Sequence, residues 1–237
     1  MKNILWFLDI DGCLSAGKFK RFDLEALRDL ETLCQERNLS VVLCTGRSLS
    51  YLEALYQVVQ LGEWAIADHG ALLFHLQSDT VISHPLFTPE ARQKLHDLTS
   101  FFAKEALTNA RFRLSHGKAG SLSLVAEDQN ALDLKPYIME NFDYHGFDLH
   151  ASGKTVDFTI AGLDKWQGAQ FYLKHQQIQN KRLAAIGDSH GDLPILRQVE
   201  ISACPHNAHP DLKALCTYTS PYPYARGVLD ILEHYSR

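Results

Sequence analysis

The stretch Ile4-Leu5-Trp6-Phe7-Leu8-Asp9-Ile10-Asp11-Gly12 decides the fold. An apolar run of this length, stopped by two acids and a glycine, reads as a strand buried on both faces, as in a parallel sheet. Working outward, Asp23–Arg37 carries Leu24, Leu27, Leu30 and Leu33 at helical spacing, with Asp23 placed to cap the helix. Ser40–Cys44 (SVVLC) is a second buried strand, and Ser48–Gln60 a second helix capped by Ser48. Glu63–Asp68 and Ala71–His75 follow as short strands. Strand, helix, strand, helix, strand is the pattern of an open parallel sheet with right-handed crossovers.

The pattern then changes. Residues 82–161 predict helices at Pro89–Leu107 and Asn130–Asn141, and strands at Arg111–Leu114, Gly120–Ala126, Gly146–His150 and Thr155–Ile160. Parallel alternation resumes with a helix at Lys165–His175, a strand at Arg182–Ile186, a short helix from Asp192, a strand at Ile201–Cys204 and a terminal helix from Ala225. The fold class expected is α/β: a doubly wound, mainly parallel, Rossmann-like sheet with helices on both faces. Residues 1–81 and 162–237 form the core, and 82–161 an inserted α+β domain of about 80 residues.

Composition narrows the class. Of the 237 residues, 46% are hydrophobic and 22% charged, which excludes disordered and collagen-like chains. No apolar run approaches the roughly 20 residues that span a bilayer, and the first strand meets Asp9 too early for a signal peptide. The net charge of −5 gives no reason to expect a nucleic acid as partner. Five cysteines, with no Cys-x-x-Cys pair, argue against a disulfide framework or structural zinc and favour a reducing cytoplasm. The twelve histidines include no His-x-x-x-His pair that would set two imidazoles on one helical face.

In open parallel sheets, ligands bind beyond the carboxyl ends of the strands. The segments expected there are Asp9-Ile10-Asp11-Gly12, Thr45-Gly46-Arg47-Ser48, Asp164-Lys165 and Gly187-Asp188-Ser189-His190-Gly191-Asp192. Each alone reads as a turn, a helix cap or a surface lysine. Together they gather acids, a hydroxyl and an ammonium on one rim. Acids so placed repel one another unless a cation neutralises them, and hard carboxylate oxygens select Mg²⁺.

In this order the four segments resemble the motifs of the haloacid dehalogenase superfamily in its phosphatase form. The insert between the second motif and the lysine resembles the cap of subclass IIB, which contains sugar, sucrose- and trehalose-phosphate phosphatases, phosphoglycolate phosphatases and phosphomannomutase. The resemblance implies a phosphatase of small phosphate esters. Asp9 would be the nucleophile that forms an aspartyl-phosphate, and Asp11 the general acid and base. Mg²⁺ would bind Asp9, the Asp11 carbonyl and Asp188, with Asp192 behind them. Thr45, Gly46, Lys165 and Asn207 would hold the phosphoryl group. A phosphomutase, or a non-catalytic binding protein on the same scaffold, are the alternatives.

Three positions depart from the family pattern: Cys13 replaces the usual Thr, Asp68-His69-Gly70 stands where Glu-Asn-Gly is common, and Trp166 follows the lysine. A Cys13 nucleophile is disfavoured, because an unactivated thiol is mostly protonated at neutral pH. Substrate choice would fall to the insert, with Arg113, Lys118 and Lys154 as candidates among Arg111, His116 and His150. The Ser115–Gly120 loop could reach across the cleft.

Overall fold

The structure, a computed structural model, describes residues 4–17, 20–127 and 131–236. β1 (Ile4–Leu8) pairs in parallel with β2 (Ser40–Cys44) on one side and β10 (Arg182–Ile186) on the other. Its side chains alternate between two apolar clusters. Trp6 and Leu8 join Leu27 and Leu30 of α1 (Leu24–Arg37) and Val228, Ile231 and Leu232 of α8 (Tyr224–Ser236). Leu5 and Phe7 join Ala169 and Tyr172 of α5 (Lys165–His175) and Ile195 and Leu196 of α6 (Leu193–Leu196). A strand whose two faces are both covered has no polar side to present, which is why the run reads as unbroken hydrophobics.

The sheet continues through β3 (Trp64–Ala67), β4 (Leu72–His75) and β5 (Thr80–Ser83) at one edge, and β11 (Ile201–Cys204) and β12 (Tyr218–Thr219) at the other. The strand order is β12-β11-β10-β1-β2-β3-β4-β5. Among the described residues, the β3–β4 and β4–β5 pairings of this sheet are antiparallel and the others parallel, so β4 alone runs against the rest. This is a mixed α/β fold built on a mainly parallel sheet. α2 (Leu49–Tyr56) stops four residues before the expected Gln60, and α7 (Pro210–Leu215) joins the layer near β11.

The intervening chain builds a second sheet, all antiparallel, in the order β6-β7-β9-β8: β6 (Phe112–Leu114), β7 (Ser121–Ala126), β9 (Thr155–Ile160) and β8 (Phe147–Ser152). One face packs on α3 (Pro89–Glu105) and α4 (Ala131–Asn141) through Leu122, Leu124, Val156, Phe158, Phe102 and Leu134. Asn130, the expected start of α4, lies outside the described residues. The opposite face carries Ser121, Ser123, Asp157 and Thr159, all buried although polar. Two-residue alternation thus gives this sheet one apolar and one polar face. β5 reaches Ser83, so the expected junction at 81/82 falls inside a strand of the large sheet. Among the described residues, no helix is long and apolar enough to cross a membrane.

Candidate active site

β1 ends at Leu8, and Asp9 donates its N–H to the Ile186 carbonyl at 3.0 Å, which fixes its side chain at the rim. The chain then turns tightly. Gly12 has φ +83°, and a Cβ on it would lie 2.0 Å from an Asp188 oxygen. The glycine therefore lets the backbone of the first loop meet the carboxylate after β10. Asn207 joins a third loop to these: its Nδ2 donates to the Gly12 carbonyl at 2.8 Å, and its Oδ1 accepts from the Tyr224 N–H at 2.8 Å.

Lys165 stands at the first position of α5, where Asp164 caps the helix by accepting from the Gln167 N–H at 2.9 Å. The lysine is 5% exposed. Its Nζ donates to Asp9 Oδ1 at 2.7 Å and to Asp192 Oδ1 at 2.5 Å. Burial alone would lower the ammonium, but Asp192 and Asp9 outweigh it and hold Lys165 well above the ordinary lysine value. The other Asp192 oxygen accepts from the N–H groups of Asp188 and Ser189 at 3.0 and 3.1 Å. One carboxylate thus clamps the lysine and shapes the loop that carries Asp188.

Asp9 and Asp188 have no such surplus of cations. Burial, and then Asp192, pushes the Asp9 carboxyl up to about 7 even with Lys165 beside it. Burial, and then Asp9, pushes Asp188 up to about 8, and no ion pair holds it among the described residues. Oxygens of Asp9 and Asp188 and the Cys13 sulfur lie within 4.8 Å of one another. Burial also holds the Cys13 thiol well above its ordinary value, which disfavours a thiolate nucleophile. What remains is a pair of facing carboxylates one cation short. That donor set fits a hard divalent ion.

Thr45 is buried at the end of β2, and its Oγ1 accepts from the Arg47 N–H at 3.2 Å. Gly46 has no room for a side chain, because a Cβ would lie 2.4 Å from the His69 ring. Arg47 grips Asp11 with both arms of its guanidinium, at 2.6 and 2.5 Å. The small sheet reaches this point through Lys118, whose Nζ donates to the Gly46 carbonyl and stands 3.7 Å from Asp68. Asp68 also accepts from the N–H groups of Ala119 and Gly120 and from the Ser121 hydroxyl.

The structure thus gathers Asp9, Asp11, Thr45, Gly46, Lys165, Asp188, Asp192 and Asn207, and it brings Lys118 to them. Arg113 and Lys154 are not brought there: Arg113 pairs with the Glu127 carboxylate at 3.2 Å, and Lys154 donates to the Glu127 carbonyl at 3.1 Å. Arg111 lies over the Tyr137 ring, and His150 meets Thr159. Sequence reasoning missed the roles of Arg47, Asp68 and His69. Their signal was position, at the ends of two parallel strands. Asp157 shows what His69 adds: burial would raise its carboxyl, but His69, 3.5 Å away, and Lys118 drive it well below the usual range.

The sequence pattern of the haloacid dehalogenase-like hydrolases matches residues 6–109 and 100–232. A Thermoplasma acidophilum protein named phosphoglycolate phosphatase is 22% identical over 233 residues, covering 96% of each chain. A crystal structure from the same organism superposes with a TM-score of 0.78 at 20% identity, covering 98% of each chain. A subclass IIB sugar phosphatase of the haloacid dehalogenase superfamily superposes with a TM-score of 0.70 at 17% identity, again over 98% of each. With the family pattern spanning nearly the whole length and its motif residues assembled on one rim, the chain belongs to the haloacid dehalogenase-like hydrolases.

Proposed function

We propose that this hydrolase is a phosphoric monoester hydrolase, a Mg²⁺-dependent phosphatase of a small phosphorylated metabolite of the phosphoglycolate or sugar phosphate kind. The observation that carries the reading is the buried Asp9–Lys165–Asp192 relay facing Asp188, with Asp11 two positions beyond the nucleophile. The names of the similar proteins support the substrate class. Residues 1–83 and 162–237 serve as the catalytic core, and the small-sheet segment as its cap.

Lys165 holds one Asp9 oxygen, which leaves the other to attack phosphorus. As that bond forms, the bond from phosphorus to the ester oxygen breaks, and Asp11 gives the departing oxygen its proton. Water then attacks the aspartyl-phosphate. Asp11 takes a proton from it, inorganic phosphate leaves, and the Asp9 carboxylate is restored. Thr45, the Gly46 amide and Lys165 orient the phosphoryl oxygens. Asp9, Asp188 and the Asp11 carbonyl would hold Mg²⁺, which would supply positive charge to the phosphoryl oxygens and to this acid-rich rim.

The test is a phosphate-release assay over glycolate and hexose phosphates, with and without chelator. Stoichiometric inorganic phosphate, lost in EDTA and restored by Mg²⁺, is the expected result. Full turnover in excess EDTA, or an isomeric phosphate formed without free phosphate, overturns the reading.

A further inference from the structure

A second group of metal-ligating side chains stands behind the rim. His190 opens the single turn His190–Asp192, and His209 and Asp211 lie at the start of α7. One nitrogen of each imidazole and one Asp211 oxygen lie within 4.8 Å of one another, all on exposed residues. The His190 Nε2–H donates to Asp211 Oδ2 at 3.0 Å, and the centres of the two imidazole rings are 4.3 Å apart. A surface His–Asp pair alone is ordinary, and His145 with Asp143 makes one before β8. The third donor sets the His190 group apart.

The state of that donor follows from its partners. His209 Nδ1 accepts from the Asp211 N–H at 3.3 Å, so it carries a lone pair. The same nitrogen faces Asp211 Oδ2 at 3.5 Å, and a carboxylate oxygen offers only lone pairs. Two acceptors thus face each other, with the one proton from His190 between three atoms. Donors bound at about 2.1 Å around a tetrahedral ion stand roughly 3.3 Å apart. The spacings of 3.0 and 3.5 Å fall on either side of that value. Two imidazoles and a carboxylate suit a borderline ion such as Zn²⁺, with water in the fourth position, whereas Mg²⁺ prefers oxygen alone. The backbone holds the three donors in place. Ser189 and Asp192 cap the His190 turn reciprocally, and the His209 N–H donates to the Asp188 carbonyl at 2.9 Å. Asp188 therefore faces Asp9 with its carboxylate and His209 with its carbonyl.

We propose that His190, His209 and Asp211 form a second metal site, for Zn²⁺ or an ion of like chemistry, that clips the Asp188 loop to α7. On binding, the proton between His190 and Asp211 passes to solvent. The ion takes its place, held by His190 Nε2, His209 Nδ1 and Asp211 Oδ2. The site stands independently of the phosphatase reading, and its nitrogen donors keep it from Mg²⁺.

The experiment measures Zn²⁺ binding to the full chain by competition with a chromophoric chelator, in excess Mg²⁺ so that the rim is saturated. His190→Gln, His209→Asn and Asp211→Asn should each weaken Zn²⁺ binding by about 10–100-fold. His145→Gln, at the ordinary His–Asp pair, should leave it unchanged. In thermal melts, Zn²⁺ should raise the Tm of the wild-type chain and not that of His190→Gln. The three ligands are exposed, and melts without Zn²⁺ check that each variant folds as the wild type does. Zn²⁺ affinity kept in His190→Gln and Asp211→Asn overturns the proposal. So does an affinity lost in Asp188→Asn but kept in those two, which would place the ion at the rim. An equal loss in His145→Gln, or displacement of Zn²⁺ by Mg²⁺, overturns it as well.

Discussion

The strand ends of the large sheet and the outer charges of the small sheet handle charge in opposite ways. At the strand ends, Lys165 lies buried between two carboxylates, and each acid is wired to a backbone loop or to another side chain. On the small sheet, Arg113 and Glu127 form a half-exposed pair, and Lys154 donates to the Glu127 carbonyl. A buried charge that loses its partner is severely penalised, whereas an exposed pair contributes little. The rim is therefore built where every group depends on the others, while the outer face of the small sheet carries charges that can vary singly. Lys118 and Arg47 stand at the seam between the two regimes.

The comparison is tested most severely at Asp9. Asp9→Asn should cut phosphate release by about 10⁴-fold or more, because the attacking oxygen is gone. Asp11→Asn should cost on the order of 10²–10⁴ with an alkyl ester and less with an aryl ester. Acid quench should then trap labelled phosphoryl on Asp9. Label on Cys13 instead would break the assignment.

Lys165→Met should destabilise the fold by about 3–5 kcal/mol in denaturant melts, by stranding Asp9 and Asp192 together. A loss below about 1 kcal/mol would mean that the rim is no more interdependent than the surface.

The paired acids give the next effect a definite sign. Both folded-state values, about 7 for Asp9 and about 8 for Asp188, lie above the ordinary 3.8. The folded chain then holds more protons than the unfolded one between these limits. Its stability is fully present below about pH 4 and falls as pH rises through 7 to 8. In chelator, stability should drop by on the order of 2–4 kcal/mol between pH 6 and pH 8, and added Mg²⁺ should abolish most of the drop. Stability that is flat with pH in EDTA would contradict the crowding of acids at the rim.

The smallest effect belongs to the small sheet. Arg113→Ala and Lys154→Ala should each change stability by less than about 0.5 kcal/mol and kcat/KM by less than about twofold. A larger change would carry the dependence of the rim out onto the surface.

The strands and the rim were legible because they obey local rules. β1 is apolar until its acids, and α1 is periodic with Asp23 accepting from the Ala26 N–H. What was not legible depends on distant partners. β12 has two residues and exists only because β11 offers it an edge. β5 likewise adds to β4 through a short turn. α2 ends early although buried Val59 and Leu61 continue the apolar pattern beyond it. In the site, the acids announced themselves by type and place. Nothing in the spacing of Lys118, Arg113 and Lys154 shows that one crosses to Gly46 while the others remain at Glu127. That choice is made by how the loop before β7 docks on Asp68.

The position of β1 in the middle of the large sheet also shapes how the chain is made. Its partner on one flank, β10, begins at Arg182, and the Asp9–Lys165 contact closes over 156 residues. The strands of the small sheet, by contrast, pair with near neighbours in sequence. In synthesis from the N-terminus, every strand of the small sheet emerges before β10, so one backbone edge of β1 waits for its partner. Contacts of long range form late and slowly. The rim thus assembles late, because Asp9 must wait for Lys165 and Asp192 to emerge.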